Sequence, residues 1–558
     1  MKISFYGPLL CVSIIFLAVP AVEASESVDV QASKNVGKSF ARDGSSGAKN
    51  QKMSMFKFWK RLKKNSKKNE DPADSGKPAP KPARDIFVWF KTYAEVIGLV
   101  ERKAFRSVDF SNFIQDSLKS AVQQVDAHSS FFAPDSFKQV MESATGEFGG
   151  IGVSVLTKAT DDEALAILEV IDGGPAAKAG LKGGDKIVEI EGEKLKGLSA
   201  DEVVTKLKGK PGSKLSVKVL RDKKPKEFTI TRDIIKDQTS MCFFFKDQGI
   251  YYLSLKIFAQ NSAQQVSELL EKANDGQCKG VVLDLRRNPG GTLDSAIDVA
   301  GLFVPKKSLV VVTKDNKKQV ISEYRTSSEP LLKSDRPIFI LIDNFTASAA
   351  EILAGTLQYY SQKSVQTEEG TQPIMVFLVG VPTFGKGSVQ EVIPISNGCA
   401  LKLTTMLYYL PGDISIQARG INPDFTIKPR FIPTEEMKWI TEMYGKEASL
   451  KNHITVDEVQ KGRKDPVDDD DEAPVKKDKD QKKDKKKKQK DEEEKSWEEK
   501  QKESLSQDVQ VQASINMINL LAVARKHIPD QISSHERALK FLKENYVTDD
   551  SVTIEKVK

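Results

Sequence analysis

Two short apolar runs, residues 281–285 and 337–342, constrain the fold of this chain more than any other feature. Val281-Val282-Leu283-Asp284-Leu285 and Pro337-Ile338-Phe339-Ile340-Leu341-Ile342 are nearly continuous in large apolar residues. A strand with one wet face alternates instead, so these runs read as strands buried on both faces, as in a parallel sheet. Each leads into small or polar residues and then into helix formers. Arg286-Arg287-Asn288-Pro289-Gly290-Gly291-Thr292 precedes a helix over 293–303, and Asn344-Phe345-Thr346-Ala347-Ser348 opens good helix formers over 347–357. With a strand over 250–255 and a helix over 262–273, the chain from about Thr239 alternates strand and helix, the pattern of an α/β domain.

Ser348 falls where the second run turns into its helix. Such a corner exposes a side chain and aims the first helical N–H groups at charge developing beside it. A serine hydroxyl is a poor nucleophile unless a neighbouring base takes its proton. The four histidines, His128, His453, His527 and His535, all lie far from Ser348 in sequence. A lysine can serve if burial keeps it neutral, and Ser-Lys dyads are a known variant of the triad. The candidate base is Lys386 in Thr383-Phe384-Gly385-Lys386-Gly387-Ser388-Val389-Gln390, with Gln390 four residues on to orient it. For the oxyanion, Ala349 N–H is the natural first donor, and Gly290 or Gly291 the second, because glycine lets the backbone approach a substrate closely. Glu351, three residues along the helix, reads as a solvated or structural carboxylate.

These segments, followed in order by Leu403-Thr404-Thr405, Tyr408-Tyr409 and Gly420-Ile421-Asn422-Pro423-Asp424, resemble the carboxyl-terminal processing proteases, a serine peptidase family related to tail-specific protease. The resemblance runs from about residue 126 to residue 423. It implies an α/β protease core related to the crotonase fold, a Ser348-Lys386-Gln390 arrangement, and dimers built from helical N- and C-terminal regions. Asp126-Ala127-His128-Ser129-Ser130-Phe131-Phe132 is similar to the family's Asp-Pro-His-Ser-Ser/Thr-Phe, with Ala127 in place of proline; His128 then reads as a structural residue at a helix end. Three departures bear on regulation and substrate fit rather than on the dyad. A polar, loop-like insertion covers 362–372, Val381-Pro382 replaces Glu-Arg, and Gly412-Asp413-Ile414 replaces Ser-Gly-Arg.

From 146 to 235 the pattern changes to short strands and Gly-rich turns. Phe148-Gly149-Gly150-Ile151-Gly152-Val153, then Val170-Ile171-Asp172-Gly173-Gly174-Pro175-Ala176 and Ala179-Gly180-Leu181-Lys182-Gly183-Gly184-Asp185, look like a bacterial PDZ domain. Glycines 149, 150 and 152 would free N–H groups for a C-terminal carboxylate, and an exposed strand edge would take an extended peptide. Ile151 and Val153 are expected near the pocket for the last side chain. In the family such a domain also gates activity, by blocking or completing the site.

At 558 residues the chain has room for several domains. Residues 1–24 read as a secretory signal: Lys2, an apolar stretch over 9–19, and Val22-Glu23-Ala24 as a cleavage site. An uncleaved anchor is the alternative. Cleavage leaves Cys242, Cys278 and Cys399, an odd, widely spaced set that suggests buried free thiols rather than a disulfide framework, although one pair could form in an oxidising compartment. The remaining segments are a basic, Pro-rich linker over 25–84, a helical region over 85–145, the PDZ domain over 146–235 and the protease core over 236–430. A helical region follows over 431–464, then a charged low-complexity linker over 465–500 and a helical end over 501–558. The net charge is +7, but the basic residues collect in two linkers, so nucleic acid is not expected as a partner. The segment from Lys57 to Lys68 could lie on an anionic membrane surface, with a solvated linker as the plainer reading. No metal or other cofactor is expected, since no Cys/His cluster has zinc spacing. Residues 380–387 nearly spell a phosphate loop but put Gly387 where a Ser or Thr must follow the lysine.

The expectation is therefore a secreted or periplasmic serine endopeptidase acting on proteins with apolar C-terminal tails, with an adaptor protein as a further partner. A binding scaffold on an inactive core and a lipid-binding envelope protein are the alternatives.

Overall fold

The computed structural model describes residues 83–428 except 156–164, 196–197, 199, 275, 333–335, 364, 368–369 and 373, together with 453–455, 459 and 497–546. The signal, nearly all of the 25–84 linker, most of 431–464 and the charged run to residue 496 lie outside the described residues. The described residues divide into two units, one ending at Phe113 and the other beginning at Ile114. In the first, helix Ala83–Lys103 carries Phe87, Trp89 and Phe90 exposed.

The second unit is built on a six-stranded sheet in the order Ser240–Phe245, Ile250–Leu255, Gly280–Asp284, Ile338–Ile342, Val376–Gly380, Phe425–Thr426. Only the first pair is antiparallel; the other four are parallel. Parallel neighbours need crossovers, and these hold helices Ser262–Ala273, Leu293–Ala300 and Ala349–Gln362. Those helices cover one face, burying Leu253, Val281, Leu283, Ile338, Ile340 and Leu378. Helices Val509–His527 and His535–Asn545 cover the other, over Tyr252, Val282, Phe339, Leu341, Phe377 and Val379. Successive residues of one strand thus enter different cores, which is why the runs do not alternate in the sequence. Truncating a side chain such as Phe339, fully buried between these layers, costs about 3–5 kcal/mol.

Arg286 ties the C-terminal helix to the end of the strand Gly280–Asp284. Its guanidinium bonds both oxygens of Asp284, and its Nη1 reaches Asp508 at 2.8 Å and Gln510 Oε1 at 2.7 Å. Asp508 in turn caps the helix by accepting from the N–H groups of Gln510 and Val511.

A second, antiparallel sheet stands beside the first. Strand Ala400–Tyr409 has Ser388–Pro394 along one edge. The other edge takes Ser130–Phe132 at residues 400–402 and Leu309–Lys314 at residues 407–409. Asp126 and Thr404 line a cavity of about 250 Å³ between these two pairings. The PDZ module is a further sheet in the order Val153–Val155, Leu165–Val170, Lys186–Ile190, Lys214–Arg221, Lys224–Thr231. Its core holds Ile167, Ile187, Leu215 and Val217.

Several expectations change. The insertion over 362–372 is not a plain loop: Val365–Thr367 and Gly370–Gln372 pair as a hairpin. The region 85–145 is not all helix, because Ser130–Phe132 joins the second sheet as a strand. The helix after Ser348 runs on to Gln362, whereas the helix after Thr292 stops at Ala300. Among the described residues Cys242, Cys278 and Cys399 are free thiols, and of these only Cys278 is buried. Burial pushes the Cys242 thiol up to about 11, so it stays protonated and unreactive at neutral pH.

Candidate active site

Ser348 is held at its corner by the residues before it. Asp343, just past the strand Ile338–Ile342, accepts from the N–H groups of Phe345 and Thr346, each at 3.0 Å, and of Arg287. Thr346 donates its hydroxyl to the Leu285 carbonyl at 2.9 Å. The corner is thereby tied to the neighbouring strand end, and Ser348 enters the helix as its N-cap with φ 56° and ψ −119°. A positive φ outside glycine costs about 1–3 kcal/mol and persists only where surrounding contacts enforce it. Here the Asp343 turn and the helix enforce it. The Ser348 side chain is buried and its Oγ has no hydrogen-bond partner.

Gly290 packs directly on this corner. A Cβ there would lie 2.7 Å from the Ala347 carbonyl oxygen and 2.8 Å from Ala349 N. No other residue fits, since real Cβ atoms do not approach so closely. Gly291 sits one step away, against Phe258, with φ 147°. The Gly290 N–H donates to Asn288 Oδ1 at 2.8 Å.

Lys386 enters from the loop between Val376–Gly380 and Ser388–Pro394 and is only 1 % exposed. Glu351 joins its loop to Ser348. The carboxylate Oε2 accepts from Ser348 N at 2.8 Å and Lys386 N at 2.9 Å, while Oε1 accepts from Gly385 N at 2.8 Å and the Thr383 hydroxyl at 2.5 Å. Four donors thus converge on one carboxylate that is completely buried. Burial pushes the Glu351 carboxyl up to about 7, and the four donors oppose that rise. Tyr408 adds a second link, with its hydroxyl on the Lys386 carbonyl and 3.2 Å from the Ser348 carbonyl.

Gln390 lies on the strand Ser388–Pro394, opposite Thr404, and is fully buried. Its Nε2 donates to Ser388 Oγ at 2.9 Å and Thr404 Oγ1 at 3.2 Å. Its Oε1, like Ser348 Oγ, is buried without a partner. Among the described residues, no group of three or more His, Cys, Asp and Glu is gathered as a metal site would be.

In the PDZ module the glycines divide. Gly149 and Gly150 lie on the strand Glu147–Gly150, which pairs with Asp233–Lys236 outside the PDZ sheet. A Cβ at Gly149 would sit 2.0 Å from the Gly209 carbonyl oxygen, and the Gly149 carbonyl accepts from Gly209 N. The Gly149 position thus has no room for a side chain. The Ile151 side chain is buried in the PDZ core, with Val153 packed against that core. Gly152, at φ 75°, leads into the edge strand Val153–Val155, whose strand partner is Leu165–Val170.

Comparison with known proteins gives the family. The model for peptidase family S41 matches residues 249–427, and the model for the PDZ domain matches residues 149–231. A carboxy-terminal-processing protease of Bartonella bacilliformis is 33% identical over 352 residues, covering 62% of this chain and 76% of that one. The chain belongs to the carboxy-terminal-processing proteases. It is thus a serine-type peptidase carrying a PDZ domain. A Synechocystis carboxyl-terminal-processing protease is 31% identical, over 54% of this chain and 68% of its own. A Bacillus subtilis member is 29% identical, over 57% and 65% respectively.

Two residues of the protease's site escape a reading of the sequence. Of the solvated and structural readings of Glu351 the structural one holds, but its partners were not readable: it is the clasp between the Ser348 and Lys386 segments. Tyr408 stands out only as part of a motif, and nothing in its spacing foretells the hydroxyl's position over two carbonyls.

Proposed function

We propose that this protease is exported and cuts protein chains at a Ser348-Lys386 dyad, after its PDZ module takes the substrate's C-terminal tail. One observation carries the dyad: Ser348, at a strained helix corner, and Lys386 are both buried and are held by the same carboxylate of Glu351. Ser348 Oγ attacks the scissile carbonyl while its proton passes to the Lys386 amine, which must be neutral to accept it. Burial disfavours the charged amine and so supports that state. The oxyanion faces the Ala349 N–H and one amide of the Gly290–Gly291 turn. Since the Gly290 N–H already serves Asn288, Gly291 is assigned as that donor. Lys386 then protonates the leaving amine, leaving an acyl ester on Ser348. Water, with Lys386 again as base, hydrolyses the ester.

The PDZ role rests on Val153–Val155, which among the described residues is the edge strand of its sheet and can pair with an added strand, and on Gly152 before it. Export rests on Lys2, the apolar stretch over 9–19 and Val22-Glu23-Ala24. The test uses an unstructured reporter protein ending in an apolar free carboxylate, a second ending in a carboxamide, and the Ser348→Ala variant. The carboxylate reporter should be cut about 10-fold or more faster than the amide, since loss of a charge-assisted contact costs on the order of 1.5–3 kcal/mol. Equal rates on both reporters would exclude tail capture by the PDZ module, and cleavage surviving in Ser348→Ala would exclude the dyad.

A further inference from the structure

We infer that Asp126, acting through Thr404, fixes the amide orientation of Gln390 and so presents the Gln390 carbonyl oxygen to the Lys386 amine. This deepens the dyad reading and rests on it. The argument is one of proton bookkeeping. Asp126 is buried, and its carboxylate accepts from His128 N at 2.7 Å, Ser129 N at 2.8 Å and Ser129 Oγ at 2.5 Å. Thr404 Oγ1 lies 3.0 Å from Asp126 Oδ1. An ionised carboxylate only accepts, so the single hydroxyl proton of Thr404 goes to Asp126. Towards Gln390 that hydroxyl can then offer only a lone pair, and the group 3.2 Å away must be the NH2 end of the amide. The other amide proton goes to Ser388 Oγ at 2.9 Å.

Both amide donors are therefore spent on one side, and Oε1 is held away from them, buried and unpartnered. A buried carbonyl left without a donor costs about 1–3 kcal/mol. On this inference the donor that answers it is the amine of Lys386, because Lys386 precedes Ser388 and Gln390 closely in the chain and all three side chains are buried. If Thr404 donated instead, the amide could turn over and set an NH2 group against the amine. Asp126 prevents this from a segment far away in sequence, which also places Ser129 Oγ on the Thr404 N–H at 3.1 Å. Asp126 and Thr404 are positioning residues, and neither need touch substrate.

The test measures kcat and KM for reporter cleavage by the full chain carrying Thr404→Val, Thr404→Ser, Gln390→Ala and the Thr404→Val/Gln390→Ala pair. Thr404→Val is expected to lower kcat by about 10- to 100-fold, the scale of a misplaced catalytic group, with KM little changed. Thr404→Ser restores the hydroxyl and most of the rate. In the Gln390→Ala background Thr404→Val should cost nothing further, because the relay acts only through that amide. Wild-type kcat in Thr404→Val, an equal loss in both backgrounds, or a Thr404→Ser as slow as Thr404→Val would each overturn the relay. Should Thr404→Val not fold, Thr404→Ala, which also removes the hydroxyl between Asp126 and Gln390, takes its place in the same cycle. Any of these results beside an inactive Ser348→Ala leaves the dyad standing, whereas an active Ser348→Ala removes the reading beneath the relay.

Discussion

Ser348→Ala and Lys386→Ala are each expected to lower reporter cleavage by about 10⁴-fold or more, the scale on which members of a nucleophile–base pair fail. The two losses should not add, since neither group has a task without the other. Their effects on stability should differ. Ser348 Oγ is buried and bonds nothing, so its removal costs no hydrogen bond, and the melting temperature of Ser348→Ala should equal or exceed that of the wild type. Lys386→Ala empties the space of a long buried side chain and should melt earlier. Lys386→Met, which fills that space, separates lost packing from lost chemistry by recovering stability but no activity. Initial rates and thermal melts of the three variants check all of this. Activity in Lys386→Met at even a tenth of the wild-type rate would remove the lysine from its role.

Glu351→Gln carries the second large effect. Oε1 and Oε2 each accept two donors, three of the four being backbone N–H groups. An amide must turn its NH2 end towards one pair. The cheaper choice faces Thr383, whose hydroxyl can also accept, and it orphans the Gly385 N–H next to Lys386. One unpaired buried N–H costs about 1–3 kcal/mol, and a displaced Lys386 loop should lower kcat about 100-fold. The pH dependence follows from the raised carboxyl pKa, about 7 against an ordinary 4.5. Because the folded state holds the proton more tightly, its stabilising contribution is complete below pH 4.5 and is lost as pH rises through about 7. The size of that loss is on the order of 3 kcal/mol. The four bonds, however, need the ionised form, so activity rises over the window in which this stability falls. Glu351→Gln should flatten the stability change between pH 4.5 and 7, measured as the difference from wild type in denaturant midpoint. A parallel pH profile in the variant would show that Glu351 does not titrate there.

What was legible in the sequence follows from how locally each constraint is written. Ser348 could be placed because the run over 337–342 and the helix formers after it determine a strand-to-helix corner by themselves. Glu351 could not, because its partners Thr383, Gly385 and Lys386 are 32, 34 and 35 residues away, and a glutamate in a first helical turn usually faces water. Asp126 and Thr404 lie 278 residues apart, and only the pairing of Ser130–Phe132 with Ala400–Lys402 brings them together. The C-terminal helix was readable as a helix over 510–527, but its place on the second face of the sheet depends on Arg286, Asp508 and Gln510, which no periodicity connects. The tight crossing of the Gly149 and Gly209 backbones was not readable either, because the two glycines lie far apart along the chain.

The most direct measurement is the site of covalent attachment during turnover. The full chain is mixed with a peptide aryl ester, whose rapid acylation outruns hydrolysis of the resulting ester, quenched in acid, and mapped by peptide mass. The acyl group should be on Ser348 in the wild type and absent from Lys386→Met. Acyl transfer to any other residue, or a full burst of released phenol with Ser348 unmodified, would contradict the Ser-Lys mechanism.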